Sequence, residues 1–157
     1  LFSLYELMDT KKSYQKACIG IVKKRFEATL EGLGIEVQPN ELYDYYYGLI
    51  DLEFWARKYV GEDVVKWMKE NVHPLDFVFR LAEDHGIVLL NGSGFEAPDW
   101  SVRVSFANLN DHVYDDIGRA VRAVARSYRH AYEASKGRAE PAREAPGRAA
   151  PRARSKK

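Results

Sequence analysis

The stretch Leu89-Leu90-Asn91-Gly92-Ser93-Gly94-Phe95-Glu96-Ala97-Pro98-Asp99-Trp100-Ser101-Val102-Arg103-Val104-Ser105-Phe106-Ala107 decides how this chain is read. The apolar run Ile87 to Asn91, the glycine-rich middle and the alternating end predict strand, irregular loop, strand. Side chains on a strand point alternately to opposite faces. Val102, Val104 and Phe106 therefore share one face, and Ser101, Arg103, Ser105 and Ala107 share the other. The small hydroxyl residues on either side of Arg103 leave its guanidinium room. A planar guanidinium gives a carboxylate two parallel hydrogen bonds, which lysine cannot do, so Arg103 is the candidate ligand-binding residue. The same alternation also describes an arginine on the solvent face of a half-buried strand, and the residues alone leave both readings open.

Working outward, the rest of the chain interleaves helical and extended patterns. Tyr14, Ala17, Cys18, Ile21, Val22, Phe26, Leu30 and Leu33 recur at steps of three and four and predict a long helix that Gly32 and Gly34 bring to an end. A second apolar helical stretch, Leu1 to Met8, precedes it. Ile35 and Val37 predict a short strand, Pro39-Asn40 a turn, and Tyr43 to Leu52 a further strand. The run Tyr45-Tyr46-Tyr47 is expected to fill a sheet face, with the lining of a ligand pocket as its functional alternative.

Phe54, Trp55 and Tyr59 mark one helix and Val64, Val65, Trp67 and Met68 the next, split by Gly61. Pro74 suits the first position of a third, which carries Leu75, Val78, Leu81 and Ala82 on one side and stops at Gly86. A last helix opens near Asn110 or Asp111, either of which can cap free backbone amides. Its predicted buried stripe is Val113, Ile117, Ala120, Val121, Val124 and Tyr128, while Arg119, Arg122, Arg126 and Arg129 are expected on a solvated face.

Composition sets the class. Hydrophobic residues are 46% of the 157, enough for one domain with a real core and too many for disorder throughout. Cys18 is the single cysteine, so an internal disulfide is excluded; it is expected as a small buried hydrophobe in a reducing compartment. No apolar run approaches a membrane span, and the chain is expected in the cytoplasm. His73 and His85 lack a second ligand at metal spacing, so no metal is expected. Net charge is +1, yet the stretch from Lys136 to Lys157 alone carries +6, which leaves −5 for the remainder. That Ala/Pro/Arg/Gly-rich tail is expected to be disordered, and its basic charge to serve at most for nonspecific attraction to anionic surfaces.

The order of these motifs resembles the carboxyl-terminal end of class I and II aminotransferases, and more finely the bifunctional aspartate 4-decarboxylase family. The likeness is carried by Leu1-Phe2-Ser3-Leu4-Tyr5-Glu6-Leu7-Met8-Asp9, by Tyr46-Tyr47-Gly48-Leu49-Ile50-Asp51, by Trp67-Met68-Lys69-Glu70-Asn71-Val72-His73-Pro74-Leu75-Asp76 and above all by Phe95-Glu96-Ala97-Pro98-Asp99-Trp100-Ser101-Val102-Arg103. It runs from Leu1 to about Ala131. The resemblance implies an α/β chain of the α+β small-domain kind: residues 1–34 as interdomain helices, 35–134 as the small domain of a fold-type I pyridoxal 5'-phosphate enzyme, and 135–157 as the basic tail. It implies that Arg103 grips the substrate's α-carboxylate, that L-aspartate is converted to L-alanine and carbon dioxide with aminotransferase side activity, and that the enzyme is a homo-oligomer built from dimers. Neither a membrane nor nucleic acid is an expected partner.

One departure accompanies the likeness. The Ser-x-Ser-Lys-like stretch that carries the Schiff-base lysine in such enzymes does not occur, and Lys11, Lys12, Lys16, Lys23, Lys24, Lys58, Lys66 and Lys69 all lie in charge-rich helical contexts. With Leu1 in place of an initiator methionine, the chain is expected to be the carboxyl-terminal portion of a longer enzyme, inactive alone, with no catalytic or cofactor-binding residue of its own. The alternatives are an ordinary class I aminotransferase of another amino acid and a noncatalytic module whose basic tail attracts nucleic acid.

Overall fold

The computed structural model describes residues 2–10, 12–38, 40 and 42–139. In chain order these form α1 (Phe2–Thr10), α2 (Lys12–Leu33), β1 (Tyr47–Asp51), α3 (Leu52–Tyr59), α4 (Glu62–Asn71), α5 (Pro74–His85), β2 (Leu90–Asn91), a single 3-10 turn (Gly92–Phe95), β3 (Ser101–Ser105) and α6 (Val113–Ala139). The strands make one antiparallel sheet in the order β1-β3-β2, with Leu49 of β1 and Leu90 of β2 both opposite Arg103. This is a small mixed domain of helices and a three-stranded antiparallel sheet.

Local chemistry explains the boundaries. Asp51 caps α3 by accepting from the Phe54 amide at 2.8 Å. Pro74 opens α5 with its fixed φ, and the His73 ring nitrogen accepts from the Leu75 amide. Gly86 ends the helix in the left-handed region at φ 66°, where a Cβ would be strained, and its amide bonds back to Ala82.

The inner face of the sheet, Ile50, Val102 and Val104, packs with Trp55, Val64, Val65, Met68, Phe77, Leu81, Ile117, Val121 and Val124 in one buried cluster. Burying side chains of this kind stabilises by about 1.5–3 kcal/mol each relative to exposure. α6 crosses α2 at a point where neither helix has a side chain. A Cβ on Gly32 would stand 2.5 Å from the Asp115 carbonyl oxygen, and one on Gly118 would lie 2.6 Å from the backbone of both Gly32 and Leu33. Beside this crossing the buried Thr29 hydroxyl lies 3.1 Å from the Arg25 carbonyl of its own helix and 3.1 Å from the Tyr114 carbonyl of α6.

Several expectations need correction. Residues Ile35 and Val37 form no strand: the Ile35 amide turns back to the Leu30 carbonyl, completing the end of α2, and Gly34 sits at φ 73°. Pro39 of the expected turn lies outside the described residues. The strand expected over Tyr43 to Leu52 is only β1, because Tyr45 takes a left-handed conformation at φ 59° before it and the Asp51 cap starts a helix after it. The strand over Ile87 to Asn91 shrinks to the two residues of β2.

The stripe of α2 is buried only toward its carboxyl end. Tyr14, Ala17, Cys18 and Ile21 are exposed, so Cys18 is not the buried hydrophobe expected; among the described residues nothing covers this half of the helix. Leu33 at the carboxyl-terminal end of α2 is part of the core, and Val22, Phe26, Ala28 and Leu30 pack against it. Asp111 accepts from Arg25 Nε at 2.7 Å, so its carboxylate is drawn across to α2 and away from the expected capping role. α6 continues regularly to Ala139, past residue 134, and 140–157 lie outside the described residues.

Substituting Gly118→Ala should destabilise the fold by about 1–3 kcal/mol through overpacking. In the same helix Gly137→Ala, where a Cβ meets nothing within 4 Å, should stabilise by up to about 1 kcal/mol. Urea unfolding of the two variants checks this; equal midpoints would remove the crossing as a constraint.

Candidate functional site

Arg103 stands at the centre of the outer face of the sheet, on the strand that has a neighbour on each side. Leu49 and Leu90 flank it and are about half exposed. Its guanidinium carbon lies 3.9 Å from the ring centre of Tyr47 and 4.4 Å from that of Phe95. Cation–π attraction at such distances holds the flat group against the rings while its N–H bonds point along the plane. Among the described residues Arg103 pairs with no carboxylate and donates no hydrogen bond to the protein.

A cleft of about 290 Å³ opens beside it, lined by Tyr47, Arg103, Ser105 and Asn108 and by apolar Val88, Leu90 and Leu109. The lining has one cation, no carboxylate and no lysine. The Ser105 hydroxyl, on the same face of β3 and opposite Tyr47, is buried with no hydrogen-bond partner among the described residues. A buried hydroxyl without a partner costs about 1–3 kcal/mol, which makes Ser105 a second polar group at the site to be accounted for.

Each wall of the site has a local cause. Phe95 ends the 3-10 turn, which Asn91 fixes: its side-chain oxygen accepts from the Ser93 amide at 2.8 Å and its amide nitrogen donates to the Asp99 carbonyl at 3.0 Å. Gly92 is required at the start of that turn, since any Cβ there would overlap the Ser101 hydroxyl. That hydroxyl in turn donates to the Pro98 carbonyl at 2.5 Å. Tyr47 is set by the segment before β1, where the Tyr43 hydroxyl donates to the Tyr47 carbonyl at 2.8 Å and Tyr46 packs edge-on against the Tyr47 ring at 4.7 Å. Of the three consecutive tyrosines, Tyr45 is buried against Phe26, Tyr46 is exposed and Tyr47 lines the cleft.

The other candidates fall elsewhere. His73 caps α5, His85 lies in its last turn, and among the described residues no three His, Cys, Asp or Glu side chains gather as a metal site. No described helix is long and apolar enough to cross a membrane. Lys12, Lys16, Lys23, Lys24, Lys58, Lys66 and Lys69 are exposed on helices, and Lys11 lies outside the described residues.

Of the α6 arginines expected on a solvated face, Arg119, Arg126 and Arg129 are exposed and Arg122 is half-buried. Arg119 pairs with Asp115 and Arg129 with Glu133, but Arg122 Nε and Arg126 Nη1 each donate to the Tyr59 hydroxyl at 3.1 Å. Burial raises the Tyr59 phenol, but the two guanidiniums outweigh it and hold it below its ordinary value. On the other side of α6, burial first and the hydrogen bond to Asp76 second push the Tyr128 phenol far up, so it stays a donor to that carboxylate at 2.6 Å. Both tyrosines fasten α6 to other helices, and neither lines the cleft at Arg103.

Set beside known proteins, the chain matches no family model. It is 40% identical over 135 residues to the bifunctional aspartate aminotransferase and L-aspartate beta-decarboxylase of a Pseudomonas species. The match covers 85% of this chain and 25% of that protein, so the chain spans about a quarter of its relative's length. That relative's name places it among the aminotransferases. The chain is thus recognised as similar to part of a bifunctional aspartate aminotransferase and L-aspartate beta-decarboxylase.

Substituting Gly92→Ala should displace Ser101 and the turn that carries Phe95, lowering stability by about 1–3 kcal/mol. Gly94→Ala, with open space around the added methyl, should change it by less than about 0.5 kcal/mol. Thermal melts of both variants, followed by near-ultraviolet circular dichroism, distinguish the two positions.

Proposed function

We propose that this chain is the carboxyl-terminal small domain of a pyridoxal 5'-phosphate-dependent enzyme that converts L-aspartate to L-alanine and carbon dioxide and also transaminates aspartate. The observation that carries this reading is the state of Arg103: a guanidinium in an apolar-walled cleft, stacked on two rings, without a carboxylate partner among the described residues. The identity to a bifunctional enzyme that acts on aspartate supports the substrate class. In this reading the cytoplasmic enzyme is assembled from dimers, and the cofactor rests on residues beyond these.

The work of this domain is binding and orientation. Arg103 takes the α-carboxylate of the amino acid through two parallel hydrogen bonds, which fixes both the position and the rotation of the bound acid. Val88, Leu89, Leu90 and Leu109 line the cleft with apolar side chains, which lowers the dielectric beside those bonds. An ion pair shielded in this way is worth far more than one on an open surface.

In the full-length holoenzyme, Arg103→Ala should lower kcat/KM for L-aspartate by about 30- to 5,000-fold, equivalent to about 2–5 kcal/mol, with an unchanged far-ultraviolet circular dichroism spectrum. Arg103→Lys should recover only part of the loss, because the fork geometry is gone. Unaltered kinetics in Arg103→Ala would sink the assignment. Release of alanine and carbon dioxide from L-aspartate without a keto-acid acceptor separates the decarboxylase from an ordinary aminotransferase.

A further inference from the structure

We propose that Tyr47 and Phe95 are positioning residues that hold the Arg103 guanidinium edge-on to an incoming carboxylate; the proposal rests on the reading of Arg103 as the carboxylate-binding group. A free arginine side chain has several rotatable bonds, and binding a ligand through it means freezing them. Here the freezing is done before the ligand arrives. The two ring centres lie 3.9 and 4.4 Å from the guanidinium carbon, and a ring stacked on a guanidinium face covers no hydrogen-bond donor. What remains accessible is the planar edge, where the donors are spaced for a carboxylate.

The sequence placement of the two rings supports a positioning role over incidental contact. Tyr47 comes from β1 and Phe95 from the turn before β3, so the two rings reach Arg103 from separate segments of the chain. Both rings remain about half exposed, so neither is present to fill the core. Each is backed by its own fixed neighbour: Tyr46 packs against the Tyr47 ring, and the Asn91 side chain holds the turn that ends in Phe95. Nor does the Tyr47 hydroxyl make a hydrogen bond among the described residues, so its contribution here is its ring.

The test uses the full-length holoenzyme and the unreactive dicarboxylate maleate, with the dissociation constant read by calorimetric titration. Tyr47→Leu and Phe95→Leu should each weaken maleate binding by about 3- to 30-fold. Tyr47→Phe, which keeps the ring, should bind within about twofold of the parent. The decisive measurement is a double-mutant cycle: in an Arg103→Ala background, Tyr47→Leu should have no further effect, because the ring acts only through the guanidinium. Additive losses, parent-like affinity in both leucine variants, or a Tyr47→Phe loss equal to that of Tyr47→Leu would each overturn the positioning role. If Arg103→Ala itself binds maleate like the parent, it is instead the carboxylate reading of the site that fails. Thermal melts accompany each variant; should Tyr47→Leu not fold, Phe95→Leu with its own Arg103→Ala cycle decides.

Discussion

The position of Arg103 depends on α2 and α6 meeting backbone to backbone at Gly32 and Gly118. With no side chain between them, the helices come close enough for the Thr29 hydroxyl to reach the Tyr114 carbonyl, which sets the start of α6. The Tyr114 hydroxyl then donates to the Ser105 carbonyl and accepts from the Leu109 amide, both at 3.1 Å, pinning the end of β3 and the segment after it. Arg25 of α2 adds a second tie by donating to the Phe106 carbonyl at 3.1 Å and to Asp111. A helix crossing on one side of the domain therefore fixes the strand whose opposite face carries the candidate site.

The two faces of β3 divide the labour. Val102 and Val104 are fully buried and supply core, while Arg103 between them has its stem anchored by the strand and its head in a cleft. A charge placed deep in the core would lose several kcal/mol in desolvation, and one on an open surface would be screened to near nothing. The half-buried position avoids both extremes. It leaves the guanidinium partly hydrated yet shielded enough for an ion pair to count.

Much of this arrangement was legible in the residues. Alternation identified β3 and its polar face, Pro74 and Gly86 bracketed α5, and Gly61 separated α3 from α4, because each of these signals is local and chemical. What could not be read was anything set by pairing across the fold. The stacking of Tyr47 on Arg103 follows from a strand register that joins residues more than fifty positions apart. Phe95 looked like part of an irregular loop, since a 3-10 turn held by Asn91 has no periodic signature. Periodicity also misplaced the burial of α2: a stripe shows which side of a helix is apolar, but Cys18 and Ile21 are exposed because burial requires a neighbour as well as a pattern. Phe77 was missed because the apolar stripe of α5 was drawn through Leu75 and Val78, whereas Phe77 is the residue buried in the core, its ring beside Tyr128 of α6. Likewise, a row of arginines at helical spacing gave no sign that two of them share one phenol from α3.

The central place of β3 in its sheet has a mechanical consequence. A ligand that pulls on Arg103 loads a strand gripped by hydrogen bonds from both neighbours, so the tug is shared across the whole sheet and passed into the helices behind it. An anchor of this stiffness yields little when loaded, and the energy of gripping an acid goes into holding it still instead of deforming the hand that holds it.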